Sequence, residues 1–322
     1  MNRQAVNPYL PSWEYIPDGE PHVFNGRVYV YGSHDRFNAP IFCVNDYVCW
    51  SAPVEDLSEW RYEGVIYRKK QDPKNPLGYH LLFAPDVCQG PDGRYYLYYA
   101  FDFLGIMSVA VCDTPAGEYK FLGHIHYADG TLWGRRRGDQ LPFDPGVLVD
   151  DDGRVWLYSG FYNAVPAILT GGHKLRCDGG TVLELEKDMV TIKTEPRVIF
   201  PKKGPGAFQG HEFFEASSIR KEGKTYIFVY SSRHNHELCY ATSQSPDRDF
   251  SYDGTLVSQG DIFLDSNLSE KHAANYLGNT HGGLLKLEDK WYVFYHRQTN
   301  RHSYSRQACA EKLRRNENGA FL

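Results

Sequence analysis

The chain has 322 residues and a net charge of −5 at neutral pH, with 42% hydrophobic and 23% charged residues. The mild negative charge argues against nucleic acid or an anionic membrane as a partner. The sequence contains no apolar stretch of about 18 residues, the length that a membrane-spanning helix requires. We therefore expect a globular protein that binds neither nucleic acid nor membranes.

The N-terminal sequence and the cysteines indicate in which cellular compartment the protein is expected. Met1–Pro11 lacks the apolar centre of an export signal. The seven cysteines are odd in number, widely scattered and contain no CxxC pair, which makes a poor disulfide framework. These features predict a cytoplasmic protein, unless an export signal has been removed.

One sequence motif, which we call the turn phrase, occurs five times along the chain. Each copy is a small turn followed by a strand rich in aromatic residues. They are Asn25–Tyr31, Asp92–Tyr98, Asp152–Tyr158, Glu222–Phe228 and Glu288–Phe294. Their turns, at positions 26, 93, 153, 223 and 289, lie 67, 60, 70 and 66 residues apart. A nearly regular period of this length is typical of a repeat fold and leaves room for about four short strands per unit.

The repeat predicts an all-β fold, a five-bladed β-propeller with about four antiparallel strands per blade. We expect a single propeller domain over residues 1–322, because no linker divides the chain. The alternative, a pair of β-sandwiches, would not be expected to repeat five times. Leu313–Leu322 is predicted to begin a closing strand, and Asn7–Ile16 is predicted to complete the last blade.

A residue that can ionise precedes each turn by six to nine positions. These residues are Glu20, Asp86, Asp144, Glu215 and His281. The first strand of each propeller blade lines the central axis, so equivalent residues should converge there; the alternative is that each caps its own turn. Carboxyls gathered in one pocket raise one another's pKa values. Because glycoside hydrolysis needs one protonated and one ionised carboxyl, the pattern favours sugar chemistry.

The motifs around these residues resemble glycoside hydrolase family 43, whose members are five-bladed propellers. The similarity runs from Asn7 to about Leu313, and its pieces are Pro17–Pro21, Phe83–Val87, Phe143–Pro145, Phe214–Glu215 and His281–Gly283. The resemblance implies an inverting catalytic domain that removes arabinose, xylose and sometimes galactose units from plant polysaccharides. It also implies that Glu215 is the general acid and that Asp144 orients this acid and tunes its pKa.

The general base is less well defined by the resemblance. It should be the first-blade residue before a proline, a place that Glu20 holds, but the family pattern has Asp there. Asp18 lies two residues earlier, potentially on the same strand face, and is the alternative base. The sequence predicts that Glu20→Ala costs more turnover than Asp18→Ala.

The resemblance implies further site residues. His281 is expected to face the axial channel and to contact a structural calcium ion through water, while the chemistry itself requires no cofactor. Arg306 resembles an active-site arginine that binds sugar hydroxyls, and Asp86 is a candidate substrate ligand or strand cap. The other substrate-binding candidates are His34 and Asp35 at the pocket floor and Trp50, Phe83 and Phe214, which would either stack on sugars or pack in the core.

The leading hypothesis is a hydrolase of terminal α-L-arabinofuranosyl or β-D-xylosyl linkages, with plant-derived oligosaccharides as its binding partners. A non-catalytic carbohydrate-binding propeller is one alternative, because Glu20 departs from the family pattern. A related propeller glycoside phosphorylase is another, although the axial positions contain no basic cluster to hold phosphate.

Overall fold

The computed structural model describes residues 7–203, 206, 208, 210–262, 269–299 and 301–321. Residues 1–6 and 322, the two ends of the predicted domain, lie outside the described residues. In the described parts, the chain forms 19 strands and three single-turn 3-10 helices, with no α-helix. None of the described helices is long and apolar enough to cross a membrane.

The strands form five antiparallel sheets that follow one another in chain order. Blade 1 contains β1 (Glu20–Phe24), β2 (Arg27–Tyr31), β3 (Tyr47–Pro53) and β4 (Arg61–Tyr67), and blade 2 contains β5 (Asp86–Gln89), β6 (Tyr95–Ala100), β7 (Met107–Cys112) and β8 (Lys120–His124). Blade 3 contains β9 (Gly146–Val149), β10 (Val155–Ser159), β11 (Gly179–Leu185) and β12 (Arg197–Pro201). Blade 4 contains β13 (Phe213–Glu222), β14 (Thr225–Ser232), β15 (Glu237–Ser243) and β16 (Ser251–Ser258), and blade 5 contains β17 (Gly283–Leu287), β18 (Lys290–Thr299) and β19 (His302–Leu313).

The first strands of the five blades contact one another in a closed ring. β1 contacts β5, β5 contacts β9, β9 contacts β13, β13 contacts β17, and β17 returns to β1. This ring confirms the predicted five-bladed propeller and places the start of each first strand at the axis.

Each repeated phrase forms the hairpin turn between the first and second strands of its blade. The turn glycines Gly26, Gly93, Gly153 and Gly223 have φ values of 75°, 83°, 77° and 58°. This left-handed conformation carries no steric penalty for glycine, which explains its recurrence in the phrase. In the fifth copy Glu288 takes the positive φ, at 53°.

In blades 1 to 4 the second strand is mostly buried on both faces, because the blades pack face to face. All six residues of β6 are buried. The hydroxyl of Tyr98 donates a hydrogen bond to the carbonyl of Met189 at 2.9 Å, and that of Tyr31 donates to the carbonyl of Pro115 at 2.7 Å. Tyrosine thus fills the space between blades while its polar end stays paired.

The N-terminal segment closes the last blade. The amide of Tyr9 donates to the carbonyl of Ala308 at 3.3 Å, and the amide of Ala310 donates to Oδ1 of Asn7 at 2.8 Å. Residues 7–9 therefore lie along the free edge of β19, where the sequence predicts the closing segment, although they are not in strand conformation.

The prediction for the C-terminal tail was wrong. Leu313 ends β19 instead of beginning a strand, and Arg315 pairs with Phe321 in an isolated antiparallel bridge. The Phe321 ring packs 5.2 Å from that of Tyr240. The tail thus folds back over blade 4 because it buries an aromatic side chain there.

The register of the inner strands separates the axial residues into two levels. Glu20 pairs with Tyr31 and Asp86 with Tyr98, each partner being the fifth residue after the turn position. Gly146 and Gly283 hold the equivalent places in blades 3 and 5. We call this level the lower tier, and the level two residues earlier the upper tier. The upper tier contains Asp18, Asp144 and His281.

Glu215 reaches the upper tier through an irregular start of β13. The pairing register shifts between Phe213 and Glu215 and again between Glu215 and Ser218. Bulges of this kind re-aim side chains next to active sites. The five residues that the sequence treats as equivalent therefore do not share one level, because Glu20 and Asp86 lie in the lower tier.

The lower tier leaves no room for a side chain at Gly146. A Cβ atom there would lie 2.7 Å from the backbone oxygen of Ser217 in blade 4. We expect Gly146→Ala to lower the free energy of unfolding by about 1–3 kcal/mol in chemical denaturation, because overpacking forces the backbone to shift. Gly123→Ala is the control, since its Cβ would meet only the Val190 side chain at 3.5 Å. Equal losses in the two variants would contradict tight packing at the axis.

Candidate active site

The upper tier gathers three carboxyls and one imidazole at the axis. Nδ1 of His281 lies 3.6 Å from Oδ2 of Asp144 and 4.0 Å from Oδ1 of Asp18. The backbone of Asp18 has a φ of 57° and that of Asp144 a φ of 48°, a left-handed conformation in residues other than glycine. Such conformations cost energy and cluster at functional sites. The surrounding fold therefore holds both carboxyls in place against local preference.

Asp18 is kept ionised by its neighbours. Nη1 of Arg306 lies 2.9 Å from Oδ1 and 3.2 Å from Oδ2 of the Asp18 carboxylate. Burial by itself raises the pKa of Asp18, but the charge of Arg306 and the nearby His296 and His281 together outweigh burial and hold this pKa far below its usual range. Asp18 is therefore a carboxylate at any pH at which the protein would work.

His296 fixes the backbone of Asp18. Nε2 of His296 lies 2.9 Å from the carbonyl oxygen of Asn279, which can only accept, so this nitrogen carries the proton. Nδ1 is then free to accept a hydrogen bond from the amide of Asp18 at 3.2 Å. This contact orients the residue that bears the ionised carboxylate.

Arg306 is itself held by Asp35. Its Nε lies 2.9 Å from Oδ2 of Asp35 and its Nη2 lies 3.1 Å from Oδ1, a two-point contact. Arg306 is 2% exposed and Asp35 is 1% exposed. Paired, planar contacts of this kind fix the direction of a guanidinium group. Asp35 therefore positions Arg306 and, through it, Asp18.

Asp144 and Glu215 are linked through one backbone group. Oδ2 of Asp144 accepts a hydrogen bond at 3.0 Å from the amide of Ala216, the residue after Glu215. Burial raises the pKa of Glu215 to about 8, and the negative charge of Asp18 adds to this effect. Burial and the charges of Glu215 and Asp18 raise the pKa of Asp144 as well. The pair therefore keeps a proton at neutral pH.

A cluster of phenylalanine rings lies beside this part of the chain. Phe143 and Phe214 directly precede the two carboxyl residues, and neighbouring ring centroids in the cluster lie 5.2–5.6 Å apart. The cluster contains Phe83, Phe103, Phe143, Phe161 and Phe214. Phe83 and Phe214 are only partly buried, so they also keep surface that a sugar ring could contact.

His281 is uncharged at neutral pH. Burial lowers its pKa to about 4, and the nearby Asp18 carboxylate offsets this effect only in part. It therefore acts in the upper tier as a hydrogen-bonding group, while Arg306 supplies the positive charge.

Glu20 and Asp86 belong to a separate network in the lower tier. Oε2 of Glu20 accepts hydrogen bonds from Nη2 of Arg220 at 2.8 Å and from Oγ of Ser218 at 3.0 Å. Oδ1 of Asp86 lies 2.6 Å from Nε2 of His22, and Oδ2 accepts from the amide of Val147 at 2.7 Å. Both carboxyls are completely buried. Their contacts join residues of different blades at the axis.

His34 and Trp50 use their polar atoms in the protein interior. Nε2 of His34 lies 3.0 Å from Oε1 of Glu14, and its Nδ1 lies 2.9 Å from the carbonyl of Asp46. The indole nitrogen of Trp50, which is 5% exposed, donates to Oε2 of Glu14 at 3.0 Å. Neither side chain has a free polar group for a sugar hydroxyl, and Trp50 packs as a core residue.

Several residues that contact the site do not stand out in the sequence as site residues. The guanidinium carbon of Arg306 lies 4.6 Å above the Phe42 ring, and its Nη2 lies 3.5 Å from the sulfur of Cys43. Both residues lie in the connection between β2 and β3, outside the repeated phrase. His296 has a weak signal, because it follows the aromatic phrase of blade 5 directly.

Glu20, His22 and Asp86 lie close enough together to hold a metal ion, but one imidazole and two carboxyls offer a calcium ion few oxygen ligands. Calcium takes six to eight oxygen ligands. Both oxygens of Asp86 and one oxygen of Glu20 are already hydrogen-bonded, which leaves Oε1 of Glu20 as the buried carboxylate oxygen without a partner. The guanidinium of Arg220 already supplies positive charge at this level.

Neighbouring carboxyls with opposite protonation states are characteristic of enzymes that hydrolyse glycosides. The profile of Glycosyl hydrolases family 43 matches residues 17–321. The chain belongs to this family and is an O-glycosyl hydrolase.

Curated relatives and solved structures agree with this assignment. The chain is 56% identical to a xylosidase/arabinosidase of Thermoclostridium stercorarium, over 100% of this chain and 67% of that relative. It is 30% identical to xylosidase/arabinosidase 43A of Humicola insolens, over 88% of each. A family 43 β-xylosidase/α-arabinofuranosidase from a compost metagenome, solved with xylotriose in a calcium-free form, superposes with a TM-score of 0.73 at 25% identity, covering 99% of this chain and 97% of that one.

Proposed function

We propose that this protein is an inverting hydrolase of terminal pentose units, β-D-xylosyl or α-L-arabinofuranosyl, in plant-derived oligosaccharides. The opposed environments of Asp18 and Glu215 carry the proposal, because one carboxyl is held ionised and the other is held protonated. The names of the two curated relatives support pentoses as the sugars.

In this mechanism Glu215 is the general acid and gives its proton to the glycosidic oxygen as the bond from that oxygen to the anomeric carbon breaks. Asp18 is the general base and takes a proton from the water that attacks the anomeric carbon on the opposite face. The products are a sugar of inverted configuration and a free hydroxyl on the leaving group. Proton exchange with solvent then restores both carboxyls.

The remaining groups of the upper tier support these two roles. The Asp144 carboxyl accepts a hydrogen bond from the backbone amide of Ala216, the residue after Glu215, so Asp144 orients the acid. Arg306 helps to keep Asp18 ionised, and burial together with the charge of Asp18 keeps Glu215 protonated. Glu20, paired with Arg220, is assigned a structural role instead of the catalytic role expected from its motif.

We also propose that the chain needs no axial calcium ion, because Arg220 is a permanent cation in the lower tier. Its guanidinium donates to Glu20 and to the carbonyls of Pro21 in blade 1, Ile219 in blade 4 and Leu284 in blade 5, at distances of 2.7–2.9 Å. A cation fixed by the protein at this place binds blades together without a dissociable ligand.

The function is tested by hydrolysis of aryl β-D-xyloside and aryl α-L-arabinofuranoside, with the first-formed sugar anomer followed by NMR. We expect turnover with inversion, and we expect Asp18→Asn to lower kcat by about 10²–10⁴-fold, because it removes general-base catalysis. Retention of configuration would contradict the mechanism. Bound sugar without turnover in the wild type would favour the carbohydrate-binding propeller.

Glu20→Gln is the matched variant for Asp18→Asn, since it also replaces an axial carboxyl of blade 1 by its amide. We expect it to lower thermal stability while most of the turnover remains, because Glu20 contacts Arg220 and Ser218 in the lower tier. A greater loss of kcat in Glu20→Gln than in Asp18→Asn would return the role of base to Glu20.

Glu215→Gln should lower kcat far more for natural xylo-oligosaccharides than for dinitrophenyl glycosides, because a good leaving group needs little protonation. In the wild type, kcat/KM on poor leaving groups should fall as the pH rises through about 8, where Glu215 loses its proton. Asp18 stays ionised well below neutral pH, so we expect no loss on mild acidification. Equal losses on both substrate classes would exclude Glu215 as the acid.

Chelator-treated protein should have the same kcat and melting temperature with and without added calcium. Arg220→Met should lower the free energy of unfolding by about 1–3 kcal/mol, because it removes the hydrogen bonds of Arg220 to the buried Glu20 carboxyl and to three backbone carbonyls. The double variant Arg220→Met/Glu20→Gln is the control and should recover part of this loss. Restoration of wild-type activity by calcium after chelation would overturn the proposed role of Arg220.

A further inference from the structure

A second group of metal-ligating side chains lies in blade 4, outside the two axial tiers. It consists of His211, Glu237 and Cys239. Glu237 and Cys239 are two residues apart on β15 and therefore lie on the same face of the strand. His211 comes from the segment just before β13. Glu237 and Cys239 are buried, whereas the His211 side chain is 27% exposed and leaves the group open to solvent.

The ligand atoms are spaced almost as a tetrahedral zinc ion requires. Nδ1 of His211 lies 2.8 Å from Oε2 of Glu237, and the sulfur of Cys239 lies 3.8 Å from this oxygen and 3.9 Å from Nδ1. Tetrahedral zinc with bonds of about 2.0 Å to nitrogen or oxygen and about 2.3 Å to sulfur sets its ligands about 3.3–3.6 Å apart. Adjustments of about half an ångström would complete the geometry.

Neighbouring groups already orient the three ligands. Oγ of Ser232 donates to Oε2 of Glu237 at 2.7 Å, and Oγ1 of Thr255 lies 3.5 Å from the sulfur of Cys239. The Tyr252 ring stacks on His211 with centroids 4.3 Å apart and planes inclined by 2°. Partners that fix ligand orientation are a regular feature of protein metal sites.

We propose that His211, Glu237 and Cys239 bind a divalent cation of the zinc class, with water as the fourth ligand. Calcium and magnesium are disfavoured because they prefer oxygen ligands, whereas imidazole and thiolate suit zinc. The metal replaces the proton between His211 and Glu237, and the thiol proton of Cys239 passes to solvent. Because His211 lies four residues before Glu215, the metal also fixes the segment that leads to the catalytic acid.

Titration of chelator-treated protein with Zn²⁺ tests this site by calorimetry and thermal melting, without any activity assay. We expect one equivalent to bind and the melting temperature to rise. Co²⁺, used as a spectroscopic probe, should give a sulfur-to-cobalt charge-transfer band. Cys239→Ser should abolish this band, and His211→Gln should weaken Zn²⁺ binding by about tenfold or more.

Cys309→Ser is the control, because Cys309 is equally buried but lies in blade 5, on β19. It should bind Zn²⁺ and Co²⁺ as the wild type does. His211→Gln changes a partly exposed side chain and should fold even if Cys239→Ser is unstable. If no equivalent binds, or if His211→Gln binds as tightly as the wild type, the group is only a histidine–carboxylate hydrogen bond and the proposal fails.

Discussion

The need to pair buried charges at the propeller axis is the constraint on which the rest of this structure depends. Five inner strands converge there, and an unpaired charge at such a place is strongly destabilising. Arg306 is paired with Asp18 of the upper tier and with Asp35 beside it, and Arg220 is paired with Glu20 in the lower tier. The same contacts bond residues of different blades, so charge pairing and closure of the ring are achieved together.

Chemical asymmetry in the upper tier arises from what surrounds each carboxyl. A buried arginine contacts Asp18, whereas Asp144 and Glu215 are buried beside other carboxyls. The arginine favours the charged form, whereas burial beside like charges favours the neutral form, so two similar side chains take opposite protonation states. This difference is what the proposed division into general acid and general base requires.

Much of this arrangement can be predicted from local sequence. The turn phrases predict five blades, and counting back from them finds Asp144, Glu215 and His281 in the upper tier. The same counting selects Glu20 over Asp18 in blade 1. Side chains two residues apart lie on the same face of a strand, so a pattern with a period of two cannot distinguish them. The bulges in β13 likewise shift Glu215 by residues that periodicity does not reveal.

The sequence by itself therefore determined the number of blades, their turns and the set of ionisable residues near the axis, because turn chemistry and strand periodicity act over a few neighbouring residues. Only the tertiary structure decided which carboxyl is ionised and which is protonated. Arg306 contacts Asp18 across 288 residues of chain, and Arg220 contacts Glu20 across 200. A pKa depends on such spatial neighbours and on burial, and neither exists before the blades have closed around the axis.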